Sequence, residues 1–140
     1  MAIATAVAAS KLQSTAHSGR RRLLVVVTGA GAAALIWTAA VPLLGVQLLV
    51  RFGSGAPQTV GLGFVLAGSL MAPLLGWALL AVFERHTHRA GALWTRIAVA
   101  ALLASFALPL VAGASTSSKI SLLLMHIAVG SVVITGLRRN

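Results

Sequence analysis

Four stretches of this chain are long and apolar enough to cross a bilayer: about residues 23–50, 59–83, 90–112 and 120–137. A spanning helix needs about 20 predominantly apolar residues. The first stretch carries no charge at all, and across the other three the one charge is Arg96, near the start of the third. In lipid every backbone polar group must find its partner within the protein, which leaves helices or closed barrels. Barrel strands run about 10 residues and alternate between lipid and lumen. Unbroken runs such as Leu23–Val27 and Leu122–Met125 do not alternate, so the chain reads as an all-α membrane protein. The polar breaks at 51–58, 84–89 and 113–119 are short, and short connections make successive helices antiparallel. The expected fold is an up-down four-helix bundle over residues 23–139, preceded by a flexible basic tail over residues 1–22.

Composition narrows the chemistry. The chain is 59% hydrophobic and 9% charged, against about 25% charged in an ordinary soluble domain. It has no cysteine and a single acid, Glu84, so thiol chemistry and paired carboxylates are excluded. The net charge of +10 would suit a nucleic-acid partner only if the basic residues shared a solvated face. They instead form short clusters between apolar runs, the pattern of loops that flank membrane spans. Lys11, Arg20, Arg21, Arg22, Arg85, Arg89, Arg96, Arg138 and Arg139 fall on one side of the expected topology, and Arg51 and Lys119 on the other. This asymmetry puts both ends of the chain in the cytoplasm. The partners expected are the bilayer and either a second copy or a larger membrane complex, not nucleic acid. The Arg20–Arg22 cluster is expected against anionic headgroups.

Few residues could carry a site. His126 is the conspicuous polar group within a span, and intramembrane ionisable groups are functional candidates by default. It either hydrogen-bonds a neighbouring helix through Gln47, Ser69 or Ser105, or faces an outer cavity framed by kinks at Pro42 and Pro109. His126 and Gln47 are therefore the candidate cofactor-binding residues. His17, His86 and His88 belong to the cytoplasmic side, so no metal set forms within one chain. No cofactor and no catalytic residue is expected. Glu84 closes the second span among several arginines, and a structural ion pair with Arg85, Arg89 or above all Arg96 is its expected role. Gly29, Gly31, Gly61, Gly63, Gly68 and Gly76 are read as close-packing positions, within one bundle or between two copies. Arg22 followed by Val41-Pro42-Leu43 is echoed by Arg89 followed by Leu108-Pro109-Leu110, a faint sign of two repeated hairpins.

The order of features resembles a known group. A basic tail and first span lead to Gly55-Ala56-Pro57-Gln58-Thr59-Val60-Gly61. A second span ends Gly76-Trp77-Ala78-Leu79-Leu80 before Glu84-Arg85. Trp94, Pro109-Leu110, Met125-His126 and Gly136-Leu137-Arg138-Arg139 follow. Over about residues 20–139 this is similar to the small four-helix integral membrane proteins of actinobacteria classed as a domain of unknown function. The resemblance implies the same topology and a bacterial plasma membrane, and no activity. The function expected is that of a non-enzymatic accessory or interaction protein. The alternatives are a small dimeric transporter or channel, or a lipid or cofactor binder using an outer-leaflet cavity near His126.

Overall fold

The computed structural model describes residues 2–138, with side chains from residue 19 onward. Met1 and Arg139, and the side chains of Lys11 and His17, lie outside the described residues. Helix α1 runs Ala2–Thr38, so residues 2–22, expected as a flexible tail, are helical and continuous with the first span. It continues as a π-helical turn, Ala39–Leu43. Pro42 has no N–H for the carbonyl of Thr38, and the register widens: the Leu44 N–H reaches the Ala39 carbonyl at 3.1 Å. Gly45 then adopts φ +66°, a left-handed turn that glycine enters without steric cost. Its N–H and that of Val46 cap the carbonyls of Val41 and Ala40. The first span thus stops at Leu43 rather than at Val50.

Four further helices follow: α2 (Leu62–His86), α3 (Ala90–Ser105), α4 (Ala107–Ala112) and α5 (Thr116–Arg138). Pro109 separates α3 from α4 by the same chemistry as Pro42. It offers no N–H to the carbonyl of Ser105, and the Phe106 N–H turns to Leu103 at 3.2 Å. The two prolines of the faint repeat therefore break their helices differently. Helix α5 begins earlier than the expected Ile120, because the Ser115 hydroxyl accepts the Ser118 N–H at 3.1 Å and so caps it. The segments Gly19–Leu43, Leu62–His86, Ala90–Ala112 and Thr116–Arg138 are the four long and apolar enough to cross a membrane.

Helix α1 packs on α2 and α5, and α3 packs on the same two. Large apolar side chains face outward all round, among them Leu35, Phe64, Leu75 and Val111. In water each would forfeit about 25 cal/mol per Å² of exposed apolar surface; facing lipid they forfeit nothing. The interior holds two buried clusters. One gathers Ala33, Leu48, Val60, Val65 and Met125, and the other Leu80, Trp94 and Leu137.

The two ends differ. At one end the connections are woven together. Strand β1 (Leu49–Val50) pairs antiparallel with β2 (Gln58–Thr59), Leu49 opposite Thr59, and Val50 also bridges Gly113. The Val60 N–H bonds the Leu48 carbonyl at 2.8 Å, and the Arg51 N–H bonds Ala112 at 2.7 Å. The fully buried Ser118 accepts the Leu49 N–H at 3.1 Å and donates to the Gln47 carbonyl at 2.9 Å. Trp37 donates its indole N–H to the Val60 carbonyl at 3.0 Å, which pins this cap to α1. At the other end Arg22 on α1 pairs with Glu84 on α2, and Arg21 donates to the Gly136 carbonyl near the end of α5 at 3.1 Å.

Candidate functional site: an apolar cavity beside His126

A cavity of about 590 Å³ lies among the helices, lined by α2, α3, α4 and α5, with Ala33 of α1. Its volume is typical of small-molecule sites. Val50, Phe52 and Val60 of the cap line it, as do Trp94 and Gly76. Trp94 is buried to 1% exposure and donates its indole N–H to the Gly76 carbonyl at 2.7 Å. That bond draws α3 onto α2 here, where a side chain on Gly76 would sit 3.7 Å from the Trp94 ring.

The cavity wall is almost wholly apolar, and three polar side chains interrupt it: Ser69, Ser105 and His126. Each bonds to its own helix. The Ser69 hydroxyl donates to the Leu66 carbonyl at 3.2 Å, and the Ser105 hydroxyl to Leu102 at 2.6 Å. His126 Nδ1 meets the Leu122 carbonyl at 2.7 Å. A carbonyl oxygen can only accept, so Nδ1 carries a hydrogen in this bond, and a neutral ring with that tautomer has its lone pair on Nε2.

These positions correct several expectations. His126 bonds its own helix rather than Gln47, Ser69 or Ser105, because the carbonyl one turn back lies within reach of Nδ1. Gln47 is exposed in the cap and stands outside the cavity lining, so the two candidate residues do not form one site. Glu84 pairs with Arg22, Nη2 to Oε1 at 2.5 Å, and not with Arg96; the packing of α1 on α2 brings a distant arginine closer than the local ones. Arg96 is exposed on α3. Among the described residues no group of three His, Cys, Asp or Glu could hold a metal. Sequence reasoning passed over Ser69 and Ser105 as parts of one pattern. Each stands four residues before a proline, Pro73 and Pro109, and all four residues line the cavity.

No curated protein matches the chain, and no solved structure does. A family model matches residues 13–140, and the chain belongs to that family, DUF6069, a family of unknown function.

Proposed function

We propose that this multi-pass membrane protein binds a lipid-like guest in the cavity beside His126. The observation that carries the reading is the cavity itself: about 590 Å³ of almost wholly apolar space, partly open at the surface, in a molecule whose outer face is also apolar. An apolar recess of this size gains dispersion contacts from whatever fills it, and membrane lipid is the abundant apolar molecule around it. The ring of contacts α1–α2–α3–α5–α1 supports an up-down bundle. Arg20, Arg21, Arg22, Arg85, Arg89 and Arg138 cluster at the end marked by the Arg22–Glu84 pair, which supports placing that end in the cytoplasm of a plasma membrane. The cap then faces outward, and its residues Val50, Phe52 and Val60 line one end of the cavity.

Native mass spectrometry of the protein released from its own membrane in mild detergent tests the reading. The expected result is one retained lipid-like molecule per chain. A bare chain bound in fixed ratio to a second protein would overturn it in favour of an accessory subunit.

A further inference from the structure

We propose that the cavity selects a neutral lipid-like guest bearing a hydroxyl group, and that His126 Nε2 accepts a hydrogen bond from that hydroxyl. This rests on the reading of the cavity as a lipid site and specifies its guest. The side-chain donors on the wall are few, and each is already engaged. A serine hydroxyl has one hydrogen and a neutral imidazole has one N–H. The hydrogens of Ser69, Ser105 and His126 are all given to carbonyls of their own helices. Trp94, the remaining side-chain donor on the wall, gives its N–H to Gly76. What these side chains offer the guest is lone pairs alone.

The backbone adds to the same account. Pro73 and Pro109 carry no N–H, so the carbonyls of Ser69 and Ser105 lack the donor that the next helical turn would supply. Two Ser-x-x-x-Pro segments, one in α2 and one across the α3–α4 break, thus line a single cavity whose side-chain donors are all engaged. A ketone, ester or ether would bring further acceptors and find no free side-chain donor. A hydroxyl brings the missing hydrogen. A cation would also suit lone pairs, but no acid lines the cavity; Glu84 is engaged by Arg22 elsewhere, and an unpaired charge is costly in an apolar wall. A metal ion would require more than one ligand; His126 is the one His, Cys, Asp or Glu on the cavity wall, and no group of three forms among the described residues.

The test uses two probes of nearly equal size, 1-hexadecanol and its methyl ether. Each is added at the same mole fraction to the full chain in detergent micelles, and the bound fraction is read by native mass spectrometry. The alcohol is expected at one per chain, retained about tenfold over the ether, as one well-made hydrogen bond allows. His126→Leu is expected to bring the alcohol down to the ether's level while the ether is unchanged. Should His126→Leu lose helical circular dichroism, His126→Phe, which keeps a ring and removes Nε2, is expected to bring the alcohol down to the ether's level in its place. Equal retention of both probes by the natural chain would overturn this inference and leave the lipid-site reading standing. Retention of neither would overturn both. An undiminished alcohol preference in a folded His126→Leu protein would remove His126 from the assignment.

Discussion

Arg22 on α1 reaches Glu84 on α2 across 62 positions of sequence, with Nη2 2.5 Å from Oε1. The arginine side chain is 12% exposed and the carboxylate 37%, so the pair is neither fully solvated nor buried. Glu84 sits in the last turns of α2, where a negative charge opposes the helix dipole, and Arg22 offsets that cost. Exposed pairs contribute up to about 1 kcal/mol, and partial burial of Arg22 puts this one at the upper end. Glu84→Gln is expected to destabilise the protein by about 1 kcal/mol in a denaturant titration in detergent. Arg96→Gln is expected to leave the midpoint unchanged; an equal loss from Arg96→Gln would restore the pairing that sequence proximity suggested.

Glycine spacing has a sharper meaning in the folded chain than in the sequence. A Cβ on Gly136 would collide with both methyl groups and the Cβ of Val25, a branched side chain on α1. Gly136→Ala is therefore expected to cost about 1–3 kcal/mol, the range for overpacking, and Val25→Ala in the same chain should recover part of it. Gly31 faces open space, so Gly31→Ala is expected to be neutral or to stabilise α1 by up to about 1 kcal/mol through helix propensity. Unfolding midpoints of the three variants in one detergent decide between them.

The cap depends on one hydroxyl. Ser118→Ala would remove the partner of the Leu49 N–H and of the Gln47 carbonyl, both partly buried, at about 1 kcal/mol for each bond lost. The loss should be local. Trypsin cleavage after Arg51, whose own N–H is held by Ala112, is expected to accelerate at least severalfold, with the helical circular dichroism unchanged. An unaltered cleavage rate would mean that the paired strands hold the cap without Ser118.

Pro109→Ala would restore an N–H facing the carbonyl of Ser105 and remove the cause of the break between α3 and α4. A straighter wall should then displace Leu108 and the new alanine from the cavity lining. The expected outcome is a protein at least as stable as the natural one that retains less lipid in native mass spectrometry. Unchanged retention would show that the break does not shape the cavity.

The spans were legible because hydropathy over some 20 residues reports the solvent directly. Residues 44–50 misled for the same reason. Leu48 is apolar because it is buried under the cap, and hydropathy cannot distinguish that burial from a further turn of helix. Gly45 marked the true boundary, but a glycine in an apolar run is also what close helix packing requires. The partner of Glu84 depends on how α1 lies on α2, which no local spacing encodes. His126 was identifiable as a lone polar group in a span, and its bond to Leu122 follows from a one-turn offset available in any helix. The Ser-x-x-x-Pro pairs were visible as letters. Their joint presence on one cavity wall is a property of the packing.

Val50 stands between Gln58 and Gly113, so the links that join α1 to α2 and α4 to α5 share a single strand. Mechanically this is a clasp: the capped ends of those four helices are constrained to travel as one piece. Helix α3 is outside the clasp, separated from α4 at Phe106 and fastened to α2 through the Trp94–Gly76 bond. Freedom in the cavity wall is thereby concentrated between Phe106 and Trp94. A guest that needs more room gains it by bending the wall at mid-height, with the capped ends held together.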